Sequence, residues 1–274
     1  MNDVLTDLST PALVRAIKGN LLEFFRYLQH AAQTDFYADG KLARWHTRVP
    51  HPWFNGVSVA QPASPGDERI IQETIAYFRS RGVSAFTWWV EPRLSISTWE
   101  NTLTPHGFHY DNNTPGMAVD LHALREDLSS PSTLKILPVE NLDSLKLWTR
   151  IFILGYGLPA AWEKDFLDLM AGIGIDLPMR NYLGYLDGEP VATSNLFLGA
   201  GVAGIQCVAT LPQARGRGIG AALTLAPLRE AREMNYRIGI LQSSDLGFKV
   251  YQRLGFQKLC DMEHFYWTDE GSSA

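Results

Sequence analysis

The chain has 274 residues, 46% of them apolar, with 24 basic against 29 acidic side chains and a net charge of −5. That is enough chain and apolar surface for two ordinary domains, and it lacks the basic surplus a nucleic-acid partner requires. Two cysteines exclude a disulfide framework and a zinc site, and no apolar run reaches membrane-spanning length. The opening residues lack a signal pattern, so a cytoplasmic protein is expected, with no metal and no membrane partner.

In chain order, residues 67–81 are predicted as a helix ended by Gly82, and residues 85–90 as an apolar, aromatic strand. A short helix over 95–103 and a strand region from 106 to 120, opened by His106-Gly107-Phe108, follow. Residues 121–134 are polar and rich in Ser and Pro, which reads as a linker. It divides the chain into domains 1–125 and 133–268.

Beyond the linker, the pattern predicts a strand over 134–139, helices over 141–155 and 160–171, and strands over 181–186, 190–198 and 202–210. Asp187-Gly188 marks a hairpin turn. A helix over 218–235, a strand over 237–242, a short helix over 246–254 closed by Gly255 and a last strand region over 256–268 complete the half. Hairpin-linked strands before a single strand–helix–strand passage give an α/β, mixed-sheet fold rather than repeating βαβ units. The order helix, strand, short helix, Gly-Phe, strand occurs in both halves, so an internal duplication is proposed.

The most informative run is Val208-Ala-Thr-Leu-Pro-Gln-Ala-Arg-Gly-Arg-Gly-Ile-Gly220. Three glycines and two arginines stand where a strand turns into a helix. Glycine lets an anion approach the backbone, the unpaired N–H groups of a helix start point at it, and arginine adds charge and forked donors. Gly216, Gly218 and Ala221 also satisfy a dinucleotide fingerprint, but the following strand ends Leu-Gln-Ser-Ser without the acidic residue that reading needs.

Taken with Tyr251-Gln-Arg-Leu-Gly-Phe256, this run resembles the GCN5-related N-acetyltransferase (GNAT) superfamily. Arg215, Gly218 and Gly220 match its acyl-CoA loop, and Tyr251 stands four residues before Gly255-Phe256 as its second signature requires. The resemblance implies two tandem acyl-CoA N-acyltransferase-like domains, with acetyl-CoA as co-substrate of the second and a small-molecule amine as acceptor. It places the diphosphate on Arg215, Gly216, Arg217, Gly218, Ile219, Gly220 and Ala221. The pantetheine arm would run along Val208, Ala209 and Thr210, with the Val208 N–H polarising the thioester and Tyr251 protonating the leaving thiolate. A non-catalytic acyl-CoA sensor is the alternative.

The sequence departs from that pattern at several positions. Ser244 stands where Asn is usual, a change that shifts a contact to pantetheine or to water, and Gln206 leaves the cofactor strand without the customary carboxylate base. Pro227 predicts a bend or early stop in the loop helix. Cys207 is read as a buried strand cysteine, and His109 and His264 as structural. The aromatic group Trp45, His46, His51, Trp53, Phe54, Trp88 and Trp89 either lines a pocket or builds core. In the N-terminal half Leu103 and Ile96 fall at the positions of Tyr251 and Ser244. Residues 61–69, which match the loop, carry one glycine with Asp67 and Glu68. That half is therefore expected to be a degenerate GNAT-like domain without a cofactor site.

Overall fold

A computed structural model describes residues 4–61, 64, 67–91, 94 and 96–269, without the side chains of residues 112 and 113. The chain forms two compact units. Unit 1 is Met1–Tyr27 with Pro115–Cys260, and unit 2 is Leu28–Thr114 with Asp261–Ala274. Each is a mixed α/β unit with a largely antiparallel sheet.

Unit 2 contains β1 (Asp35–Ala38), β2 (Leu42–His46), β3 (Gly56–Val59), helix α2 (Asp67–Arg79), β4 (Ala85–Val90) and helix α3 (Ile96–Leu103). β5 (Phe108–Asp120) begins in it, and β11 (Gln257–Thr268) ends in it. β3 and β4 are parallel, and α2 makes the crossover between them. β11 lies antiparallel to β4, from Glu263↔Val90 to Thr268↔Ala85. Its core is aromatic: Phe78, Phe86, Trp88, Phe108 and Phe265 have no measurable exposure.

Unit 1 begins with helix α1 (Thr10–Tyr27) and resumes within β5. It continues with β6 (Lys135–Pro138), α4 (Leu142–Tyr156), α5 (Glu163–Ile173), β7 (Met179–Leu186), β8 (Glu189–Gly199), β9 (Val202–Thr210), α6 (Ile219–Glu233), β10 (Ile238–Gln242) and α7 (Asp245–Leu254). Its sheet runs β5-β10-β9-β8-β7-β6, and its one parallel pair among the described residues is β9 with β10. The β7–β8 hairpin turns on Asp187 (φ 53°) and Gly188 (φ 89°), the two left-handed residues that a type I′ turn demands. α6 and α7 bury Leu223, Leu228 and Leu254 against Leu196, Ile205 and Met117. On the other side, Asn20 of α1 is fully buried and donates to the carbonyls of Phe197 (3.3 Å) and Gly199 (3.0 Å).

These bounds differ from the sequence division into 1–125 and 133–268. α1 serves the sheet of unit 1, and the final strand β11 serves that of unit 2. The C-terminal part of β5 in turn pairs with β10, from Ile238↔Asp120 to Gln242↔Gly116. Each sequence half thus gives its last strand to the other half's sheet. The linker fell at a real break in periodicity, but strand pairing does not follow it.

Of the two outcomes expected at Pro227, a bend or an early stop, the early stop does not occur. α6 runs from Ile219 to Glu233 with Pro227 buried inside it. The missing N–H costs one ladder bond, and burial of Leu225, Pro227, Leu228 and Ala231 on both sides of the break carries the helix through.

Candidate active site

Two opposed pulls open the middle of the unit 1 sheet. β9 is held by β8 as far as Ala192↔Thr210, while β10 is held by β5 along its whole length. The parallel β9–β10 pairing ends at Leu241↔Ile205. Residues Gln206–Thr210 therefore have a strand on one side only among the described residues. A β-bulge marks the same place: the β8–β9 register shifts between Thr193 and Asn195, opposite Cys207, whose φ is 53°. The extra residue bends β9 away from β10. Thr193 Oγ1 donates to the Cys207 carbonyl at 2.9 Å, which fixes the bulge.

Beyond β9 the chain makes a short turn, Pro212–Ala214, and enters α6 through Gly216 (φ 76°) and Gly218 (φ 77°). Gly218 is the N-cap, and the first helix bond runs from Ala222 N–H to the Gly218 carbonyl at 3.1 Å. The amides of Ile219, Gly220 and Ala221 thus belong to the first turn, where no intrahelical acceptor exists. Arg215 has a job of its own. It donates from Nε to the Thr210 carbonyl (3.0 Å) and from Nη2 to the Gly155 carbonyl (2.8 Å). It therefore braces the loop against β9 and the end of α4. Arg217 is exposed beside it.

Tyr251 lies on α7, 8% exposed, with burial pushing its phenol up to about 12. Its helix starts at Ser244, whose side chain accepts from Gly247 N–H at 3.3 Å. Ser244 is thus a helix cap that positions Tyr251. α7 ends at Gly255 in the left-handed conformation (φ 103°). Cys207 is likewise pushed up to about 12 by burial. Tyr156, at the end of α4, is the member that sequence reasoning missed. Burial raises its phenol, and the proximity of Cys207 and Tyr251 raises it further. The residue as a whole is 47% exposed, so it stands at the surface rather than in a sealed core. No local signal marks it: it arrives because Gly155 packs so closely that a Cβ there would lie 2.9 Å from that of Ala209.

Val208 is half-buried, Ala209 is buried and Thr210 is half-buried. The structure thus assembles Val208, Ala209, Thr210, Arg215, the glycine loop and Tyr251 in unit 1. His264 and His109 both fall in unit 2. There His264 is 1% exposed and bonded to Asp111 (3.2 Å) and the Met262 carbonyl (3.2 Å), and His109 is exposed. Of the aromatic group, Trp45, Phe54, Trp88 and Trp89 are core. The dinucleotide reading fails on topology, because β10 is followed in the sheet by antiparallel β5.

Residues 145–256 match the family described as acetyltransferase (GNAT) family. That span runs from α4 through the glycine loop to the Gly-Phe pair after Tyr251. Unit 1 carries a GNAT-family domain. Among solved structures, a GCN5-related N-acetyltransferase from Kribbella flavida is 20% identical with a TM-score of 0.69, over 94% of this chain and 96% of that one. One from Sphaerobacter thermophilus is 14% identical with a TM-score of 0.61, over 97% and 94%. A tandem GNAT protein from the clavulanic acid biosynthesis pathway is 15% identical with a TM-score of 0.56, over 89% and 86%. At these identities the likeness is one of fold. No curated protein matches the chain significantly. The GNAT assignment supports acyl transfer as the general class of chemistry.

Proposed function

We propose that the protein is an acetyl-CoA-dependent N-acetyltransferase that passes an acetyl group directly to a primary amine of a small molecule. The observation that carries this reading is the open edge of β9 beyond Ile205, which leads straight into the glycine loop and lies in the same domain as Tyr251. The residues fit the group: an unpaired strand edge suits the amides of a pantetheine arm, and first-turn amides suit a diphosphate. When bound, acetyl-CoA would supply an acyl group activated as a thioester.

The chain's own residues divide the remaining work. Val208, Ala209 and Thr210 align the arm, and the Val208 N–H is assigned the donor role toward the acyl oxygen. Arg217 and the amides from Gly216 to Ala221 hold the anion, while Arg215 keeps the loop in place. Tyr251, held protonated by burial, serves as the acid for the departing thiolate. The raised Cys207 thiol is a poor nucleophile at neutral pH, which favours direct transfer over an acyl-cysteine route. Gln206 accepts no proton, so the amine's proton is assigned to water.

Unit 2 is proposed to be a degenerate copy without a cofactor site. Its parallel pair stays closed from Gly56↔Thr87 to Val59↔Val90, the last residue of both strands. Leu103 replaces the tyrosine. Residues 62, 63, 65 and 66 of the segment matching the loop lie outside the described residues.

Calorimetric titration with acetyl-CoA, CoA and NAD, on the wild type and Gly218→Glu, tests the reading. One acetyl-CoA per chain, lost in the variant, is expected. Absence of acetyl-CoA binding overturns it. Binding without turnover across a broad amine panel would favour an acyl-CoA sensor, the reading that the missing strand carboxylate supports.

A further inference from the structure

Unit 2 contains a cavity of about 430 Å³ that owes nothing to the acyl-transfer site. It lies between the end of β2, the loop that follows it and the turn after α2, with His46, Thr47, Arg48, Asn55, Arg81 and Ser84 among its walls. No carboxylate is among the lining residues, although the chain as a whole is acidic.

The walls are built rather than loose. Asn55 is 1% exposed; it accepts from Thr47 N–H (2.9 Å) and donates to the Val49 carbonyl (2.8 Å). Thr47 Oγ1 accepts from Val49 N–H at 3.2 Å, so the loop is closed on itself. Arg81 lies over the Tyr77 ring at 3.7 Å and Arg44 lies over the same ring at 3.5 Å. Arg44 stands outside the lining, so Arg81 is the guanidinium that this ring holds at the cavity.

The polar groups are under-used. His46 Nδ1 is buried without a hydrogen-bond partner. Arg81 shares its charge with Asp35 at 3.6 Å, a carboxylate that is itself 59% exposed. Arg48 donates to the neutral Gln33 amide at 2.7 Å and has no carboxylate partner among the described residues. A buried ring nitrogen without a partner is costly, as is a pair of cations facing one dent. The second cost falls when an anion enters. Burial holds His46 below its usual range; Asp35 opposes this and Arg81 reinforces it. The ring is thus a neutral hydrogen-bonding group, and the charge comes from the arginines.

We propose that this cavity binds a small metabolite through an oxyanion group, a carboxylate or a phosphate ester, held by Arg48 and Arg81 with His46 at its side. The volume suits a compact molecule and excludes nothing of that class. Arginine is the appropriate donor, because its fork matches both groups.

The test is calorimetric titration of the full chain with inorganic phosphate and with citrate, while the His46 ring is followed by NMR. Saturable binding of one or both is expected, with a shift of the His46 signals and a loss of about tenfold or more in Arg48→Gln and Arg81→Gln. A preference for phosphate assigns a phosphate ester, and a preference for citrate a carboxylate. Arg48→Gln removes only a surface contact to Gln33, so it separates binding from folding. No saturation with either anion, or affinities unchanged in both variants, would overturn the proposal. Acetyl-CoA titration of the same variants should be unaffected, which keeps this site's failure distinct from failure of the acyl-transfer reading.

Discussion

Three alanine substitutions in one loop separate what the fold requires from what a ligand requires. At Gly218 a Cβ would lie 2.1 Å from the Ser129 carbonyl oxygen, and φ is 77°. Optimal contact needs about 3.5 Å, so the Ser129 backbone must retreat by more than about 1 Å. The left-handed conformation adds about 1–2 kcal/mol and the overlap about 1–3. Gly218→Ala should therefore cost about 2–5 kcal/mol of stability. Gly216 has a similar φ of 76° but nothing within 4 Å of its Cβ, so Gly216→Ala should cost only about 1–2 kcal/mol. Gly220 differs again. It is helical, and its Cβ would meet only Thr210 Oγ1 at 3.8 Å. For folding alone, Gly220→Ala should stabilise by about 0.5–1 kcal/mol. If an anion sits on that backbone, the added methyl should weaken acetyl-CoA binding by about 10–100-fold through a lost charge-assisted hydrogen bond. Urea denaturation and calorimetry on the three variants read both quantities. A more stable Gly220→Ala protein with undiminished acetyl-CoA affinity would refute the claim that this glycine is reserved for a ligand.

Other outcomes follow from the same geometry. Tyr251→Phe should lower turnover by about 10²-fold with acetyl-CoA affinity little changed; equal turnover in steady-state assays would remove Tyr251 from the mechanism. Because burial raises the Tyr251 phenol to about 12, the acid form persists through the ordinary phenol range. No descending limb of kcat due to Tyr251 is expected below about pH 10. The stability its neutral form lends is intact below that pH and is lost as pH climbs toward the folded value, so alkaline unfolding should be less steep in Tyr251→Phe. Cys207, raised from 9.0 to about 12, should hold about a thousandfold less thiolate at pH 8 than an ordinary thiol. Peptide mapping after iodoacetamide should find it nearly unlabelled. Arg215→Ala should raise the KM for acetyl-CoA more than it lowers kcat, since among the described residues the Arg215 side chain bonds backbone carbonyls of the loop's supports alone.

Much of unit 1 was legible in the sequence because its signals are local. β9 falls on its predicted residues, as does β4 in unit 2, the Asp187-Gly188 turn occurs as read, and α7 closes at Gly255. The glycine loop was legible for the same reason: the residue types that cradle an anion are contiguous. What was missed depends on distant partners. The opening of β9 from β10 arises because β5 and β8 hold the two strands separately, and no residue near Gln206 announces it. The bulge at Cys207 is set by one fewer residue on β8. Tyr156 joins the site only because α4 packs its last turn on Ala209. The exchange of β5 and β11 has no sequence signature, since an apolar strand reads alike whichever sheet it joins. α1 was overlooked although Ala12, Ala16, Ile17, Asn20 and Phe24 recur at helical spacing.

That exchange has a consequence for how the protein is made. A ribosome delivers β4 long before it delivers residues 261–268, the strand that covers the β4 edge in unit 2. During synthesis the β4 backbone edge waits, with Trp88 and Trp89 beside it, until the whole of unit 1 has emerged. An uncovered edge of that kind is an invitation to pair with another nascent chain. Severing the chain between residues 125 and 133 would make the exposure permanent, leaving β10 without β5 and β4 without β11. The two pieces, supplied together, should find each other and restore both sheets, and neither should remain monomeric alone.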